Sequence, residues 1–157
     1  MSAPELTTTS AEETEAVAER LGRALGGGEL IGLVGDLGAG KTCFVRGLAR
    51  GLGADPEHVH SPSFTMVTEY RGGRVPLTHV DLYRLDAPVD DSGFLREALY
   101  GIGVAAVEWF DRVPARAGGD ALVVTLRALD ATTRALRLEA SDALHGRLVD
   151  AADAPAV

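Results

Sequence analysis

Apolar residues near the start of the chain fall on two different periods. Val17, Leu21 and Leu25 recur every four residues, the spacing that lines one face of an α-helix. Ser10 followed three residues later by Glu13 has the capping-box spacing, so the Ser hydroxyl reaches the Glu13 amide and starts the helix there. Gly26, Gly27 and Gly28 end it, because glycine takes the left-handed cap without a Cβ clash. Leu30–Val34 is then a continuous apolar run of strand length. Lys41–Leu52 predicts a second helix, with Phe44, Val45, Leu48, Ala49 and Leu52 facing inward and Gly53 at its end. Residues 55–63, which hold two prolines, predict a loop.

Residues 64–70 and 75–80 read as strands joined through Arg71-Gly72-Gly73-Arg74 as a hairpin. Pro76 has no N–H for a ladder, so it places the second strand at an edge or leaves only its start irregular. Residues 92–100 predict a short third helix and residues 104–107 a buried strand. Residues 121–127 and Arg134–Ala140 form a second hairpin around Asp130-Ala131-Thr132-Thr133, and residues 141–151 a last helix. A frayed Ala/Asp/Pro tail is expected from about residue 151. No internal repeat or interdomain linker is visible. The order α-β-α-β-β-α-β-β-β-α therefore predicts one α/β domain over residues 1–157, a mixed central sheet with helices on both faces.

Composition narrows the function. A chain of 157 residues with 46% hydrophobic side chains can build one core of its own. A net charge of −8 excludes a protein that coats nucleic acid by charge alone. The single cysteine, Cys43, cannot form an intramolecular disulfide and fits a reducing compartment. No apolar run approaches the roughly 18 residues that a membrane helix needs, and residues 1–15 have neither the basic nor the apolar region of a signal peptide. A soluble, cytoplasmic domain is expected. Of the 15 basic residues all but Lys41 are arginine, and of the four segments 1–34, 35–80, 81–119 and 120–157 only 35–80, which contains Lys41, is not net acidic. A chain that uses Arg wherever a positive charge suffices has kept Lys at one position, in the segment most tolerant of an anion.

That lysine lies in Gly35-Asp36-Leu37-Gly38-Ala39-Gly40-Lys41-Thr42, which fits G-x-x-x-x-G-K-[ST] between a strand and an amphipathic helix. Glycines let the backbone wrap a phosphate with N–H groups inward, and the helix N-terminus adds partial positive charge. Lys41 brings a compact ammonium to the β/γ-phosphates, and Thr42 offers a hydroxyl to Mg²⁺. The fold expectation becomes a P-loop NTPase, with Asp36, Leu37, Gly38, Ala39, Gly40, Lys41 and Thr42 as nucleotide-binding residues. With no lysine outside the loop, the Asn-Lys-x-Asp motif that reads guanine cannot exist, so ATP/ADP is expected.

Such a site needs a strand-end carboxylate for Mg²⁺ and a second polar group to place the attacking water. Asp81 ends one predicted strand and Glu108 another, and from the residues alone either fills either role. Ser61-Pro62-Ser63 lies where a loop senses the γ-phosphate in switch-type NTPases, or is only a turn. Trp109, the only tryptophan, reads as partly buried packing or as a contact. His58, His60, His79 and His145 show no metal spacing. Cys43 is expected to face the core or the loop.

Taken together, the phosphate loop with Phe44, then Ser61-Pro62-Ser63-Phe64-Thr65, then His79-Val80-Asp81-Leu82-Tyr83-Arg84-Leu85, then Glu108-Trp109, resemble in order and spacing the bacterial TsaE (YjeE) family. The likeness runs from about Thr8 to Ala140. It implies a small, slow Mg²⁺-dependent ATPase needed for threonylcarbamoyladenosine modification of tRNA, at the adenosine beside the anticodon. It further implies work with a TsaB–TsaD protein pair, through which tRNA is mainly engaged. Residue by residue, it implies that Lys41 contacts phosphates and that Thr42 and Glu108 belong to the metal site. Asp81 becomes the Walker-B-type acid, and Trp109 belongs to the Glu-Trp signature. The adenine edge is implied near Ser10, Ala11 and Thr132, and Ser61 and Ser63 take the switch position. This chain departs from the family pattern at Ser63, where Thr is usual, and at Phe110-Asp111, where Pro and an acid are common. Two other readings compete: a small-molecule kinase, for which no Arg-rich lid insert is visible, and a nucleotide-gated binding module.

Overall fold

A computed structural model describes residues 4–60, 67–83, 99, 101–113, 121–140 and 143–153. Its centre is a seven-stranded sheet: β1 (Glu5–Thr8), β2 (Leu30–Val34), β3 (Val67–Tyr70), β4 (Leu77–Asp81), β5 (Val104–Glu108), β6 (Leu122–Ala128) and β7 (Arg134–Ala140). The spatial order is β1-β7-β6-β2-β5-β4-β3. β4, β5, β2 and β6 are mutually parallel, while β3, β7 and β1 join antiparallel at the two sides. The sheet is therefore mixed, as expected.

Three helices, α1 (Ala11–Ala24), α2 (Lys41–Leu52) and α3 (Ala143–Asp153), contribute to one core cluster with Ile31, Leu33, Leu77, Ala106, Val124 and Leu138 of the sheet. On the opposite face Leu30, Val80, Ala105, Val107 and Ala121 pack with Leu99, Phe110 and Val113. The helix expected over residues 92–100 lies outside the described residues except for Leu99, which is helical and buried against that second face. β5 can occupy the sheet centre because Val-Ala-Ala-Val is small and apolar on both sides. All five of its residues are buried.

α1 begins as its sequence predicts: Ser10 Oγ accepts from the Glu13 amide at 3.1 Å, and Glu13 reaches back to the Thr9 amide at 2.6 Å. α1 and α2 lie side by side and run in the same direction. A Cβ on Gly47 or Gly51 would strike the carbonyls of Glu15 and Glu19, so glycine is what permits this approach.

Three features add to the sequence expectations, decide between them or amend them. β1 was not foreseen. It is a four-residue edge strand specified by pairing with β7 rather than by its own apolar pattern. The second hairpin strand starts at Leu77 and sits inside the sheet between β3 and β5, so Pro76 makes only its start irregular. The last helix runs on through Asp153, past the point where fraying was expected. Ala152 is fully buried, and its carbonyl accepts from Arg20 Nε and Nη2 at 3.2 and 3.0 Å.

Candidate nucleotide site

The carboxyl ends of β2, β4 and β5 open onto one edge of the sheet, where ligands bind in open α/β folds. β2 leads into the loop at residues 35–40, and α2 starts at Lys41. The glycines of the loop are there for conformation. Gly38 (φ 78°) and Gly40 (φ 107°) are left-handed, which a residue with Cβ adopts only with strain.

Lys41 is 5% exposed. Its Nζ donates to the carbonyls of Gly35 at 2.6 Å and Asp36 at 2.8 Å and lies 4.2 Å from the centre of the Trp109 ring. Burial pushes the ammonium below its usual range, against the pull of the Glu108, Asp81, Asp36 and Asp111 carboxylates. It is a desolvated cation set among acids, suited to exchanging weak neutral acceptors for an anion.

Thr42 Oγ1 donates to the Glu108 carboxylate, 2.9 Å from Oε2. Glu108 is 3% exposed, and a charge so placed needs partners. The second is His79 on β4, fully buried, with Nε2 2.5 Å from Glu108 Oε2. A carboxylate only accepts, so Nε2 carries the proton and donates. Nδ1 of His79 is buried without a hydrogen-bond partner among the described residues. Asp81 stands directly opposite Glu108 in the β4–β5 register, and its Oδ1 accepts from the Tyr83 amide at 2.9 Å. The two acids are thus adjacent, and Glu108 is the one in contact with Thr42.

Trp109 is the only described non-glycine residue with positive φ (61°). Such strain persists where surroundings over-determine it. The indole is held by Lys41, by Tyr83 at 5.1 Å between ring centres and by Arg112 at 5.9 Å. Trp109 is therefore packed, and the same ring forms part of a cleft wall. Lys41, Thr42, Asp81, Tyr83, Glu108 and Trp109 line a cleft of about 410 Å³, together with Leu37, Gly38 and Gly40.

A second cleft of about 380 Å³ adjoins it. Ser10, Ala11, Thr132 and Arg134 line it, and Gly40 and Cys43 are common to both. The structure thus brings Ser10 and Ala11 at the start of α1 next to Thr132 of the β6–β7 hairpin, beside the phosphate loop. Cys43 faces the loop side: its Sγ donates to the Ala11 carbonyl at 3.4 Å, and burial raises its thiol pKa from 9.0 to about 11. Asp36 and Ala39 line a groove on the other side of the loop. Ser61 and Ser63 lie outside the described residues.

Sequence reasoning passed over His79, which looked only like a histidine without metal spacing. The available signal was a polar residue inside an apolar strand, two positions before Asp81. It also passed over Tyr83 as a cleft wall and Arg134, whose role depends on a hairpin folding back over the loop.

The donors fit a nucleotide with Mg²⁺. A hydroxyl and two carboxylates are hard oxygen ligands, and Mg²⁺ characteristically takes one or two carboxylates plus substrate phosphates. Among the described residues no group of three or more His, Cys, Asp or Glu side chains forms a cage of its own, so phosphate oxygens and water would have to complete the coordination. Among them, too, no helix is long and apolar enough to cross a membrane.

Comparison with known proteins agrees with this geometry. Residues 8–136 match the family model described as "Threonylcarbamoyl adenosine biosynthesis protein TsaE". A Treponema pallidum protein named tRNA threonylcarbamoyladenosine biosynthesis protein TsaE is 43% identical over 122 residues, covering 76% of this chain and 88% of that protein. One of the same name from Bacillus subtilis is 45% identical over 102 residues, covering 65% of this chain and 63% of its own length. The crystal structure of B. subtilis YdiB superposes with a TM-score of 0.76 at 33% identity, covering 95% of this chain and 93% of that one. Sequence and superposed fold agree, and the chain belongs to the TsaE family.

Proposed function

We propose that this protein binds ATP with Mg²⁺ and hydrolyses it slowly, as the ATP-using subunit in threonylcarbamoyladenosine modification of tRNA. It works in the cytoplasm with a TsaB–TsaD type pair that holds most of the RNA. The carrying observation is the meeting of Lys41, Thr42 and Glu108 at one cleft on the strand ends. Family membership and the names of its relatives support the pathway.

Lys41 exchanges the Gly35 and Asp36 carbonyls for phosphate oxygens. Thr42 and Glu108 hold Mg²⁺, which neutralises phosphate charge when bound, and His79 keeps the Glu108 carboxylate aimed. Asp81, opposite Glu108 in the β4–β5 register, orients the water. The cleft at Ser10, Ala11 and Thr132 takes the base. A net charge of −8 fits a subunit that leaves RNA binding to its partners.

The Glu108→Ala variant tests this reading. It is expected to bind ATP and fail to hydrolyse it, and to stop supporting repeated rounds of tRNA modification by the reconstituted complex. Multiple turnovers at the wild-type rate would make hydrolysis incidental and favour a nucleotide-gated module.

A further inference from the structure

Arg134 opens β7 and aims its whole guanidinium at backbone carbonyls. Nε donates to Ala39 at 3.1 Å and Nη2 to Gly38 at 3.2 Å, both in the phosphate loop. Nη1 donates to Asp130 at 2.8 Å and Thr133 at 3.0 Å, both in the β6–β7 hairpin. One planar group thus ties the loop to the hairpin that carries Thr132. The hairpin is itself stiffened, since Asp130 Oδ1 accepts from the amides of Thr132 at 2.9 Å and Thr133 at 2.8 Å.

The consequence for the loop follows from peptide geometry. In a trans peptide the C=O and the following N–H point to opposite sides, and no described peptide bond is cis. Drawing the Gly38 carbonyl to Arg134 turns the Ala39 N–H the other way, where it donates to the Asp36 carbonyl at 3.1 Å and closes the turn. Drawing the Ala39 carbonyl to Arg134 turns the Gly40 N–H away from Arg134, in a residue that lines both clefts.

The loop carbonyls are therefore shared between two cations of different kinds. Lys41 holds those of Gly35 and Asp36 and is the group that phosphate would compete for. Arg134 holds those of Gly38 and Ala39, and nothing in phosphate binding requires it to let go. A lysine ammonium lacks the fork that reaches both carbonyls and the hairpin at once.

We propose that Arg134 is a positioning residue for phosphate recognition, a clasp that presets the Gly38–Gly40 part of the loop and couples it to the hairpin beside the second cleft. The proposal rests on the assignment of the loop to phosphate.

The test is calorimetric titration of Arg134→Ala and Arg134→Gln with MgATP and, separately, with inorganic tripolyphosphate, which has no base. Arg134→Ala is expected to weaken both by the same factor, about tenfold. Arg134→Gln, which keeps one donor, should weaken them less. KM for ATP should rise while kcat at saturation is kept, and amide exchange at Ala39 and Gly40 without nucleotide should quicken. Weaker ATP binding with unchanged tripolyphosphate binding would assign Arg134 to the base and overturn the clasp, as would wild-type binding of both. Should Arg134→Ala not fold, the glutamine variant carries the same comparison. Lys41→Ala run alongside separates the two claims. If it also binds both ligands like wild type, the phosphate assignment itself fails. If it binds neither while Arg134→Ala matches wild type, only the clasp fails.

Discussion

The helical layer is closed at both ends by a cation on backbone carbonyls, but the cations differ. At the carboxyl ends of α1 and α2, Arg74 donates to Leu25 and Gly22 at 3.0 Å each, to Arg23 at 3.3 Å and to Gly51 at 3.4 Å. At the amino end, Lys41 donates to Gly35 and Asp36. Because α1 and α2 run in parallel, both helix dipoles present their positive ends at the cleft and their negative ends at Arg74. The arginine end is a permanent joint, with a planar fork filling unsatisfied helix carbonyls. The lysine end is exchangeable: a point charge on a flexible stem, stripped of water, rests on neutral acceptors beside an open cleft. On the proposed function, a chain that uses arginine everywhere else has lysine where the contact must change hands.

The comparison breaks most sharply at Lys41. Lys41→Ala should weaken ATP binding by roughly 100-fold or more, the worth of two charge-assisted contacts, with little change in melting temperature. Calorimetry and thermal unfolding on one preparation check both halves. Arg74→Ala should do the reverse, costing roughly 2–3 kcal/mol in urea unfolding by stranding helix-end carbonyls while ATP affinity stays within about twofold. Gly47→Ala should also act on the fold alone, destabilising by about 1–3 kcal/mol because a Cβ meets the Glu15 carbonyl.

The last expected effect, at Cys43, touches neither the fold nor ATP affinity. With its thiol raised to about 11, alkylation by iodoacetamide near pH 8 should run about 100-fold slower than for a free cysteine. The folded chain keeps a proton that the unfolded chain releases above pH 9, so this group's contribution to stability is full below pH 9 and declines up to about pH 11. A reaction midpoint near 9 in the folded protein would contradict the burial of Cys43 against Ala11.

What was legible in the sequence and what was not divides along the same line. The loop, α2 and the Ser10 cap are local, and residues a few positions apart specify them, so motif and period suffice. Glu108 and Asp81 were visible as acids ending apolar runs, but their roles stayed open, because the β4–β5 register brings Glu108 to His79 and the β2–β5 register brings it towards Thr42 at the start of α2. β1 was hidden because Glu-Leu-Thr-Thr becomes a strand only through β7. Arg134 was hidden because its partners lie 95 and 96 residues away.

The central claim is that this cleft spends ATP in the service of a partner complex. The most direct test is ATP hydrolysis by the purified protein, measured alone and with a TsaB–TsaD type pair and tRNA. The account predicts slow turnover alone and a clear rise with the partners, abolished in Glu108→Ala. Unchanged turnover with the partners present, in protein shown to bind ATP, would contradict it.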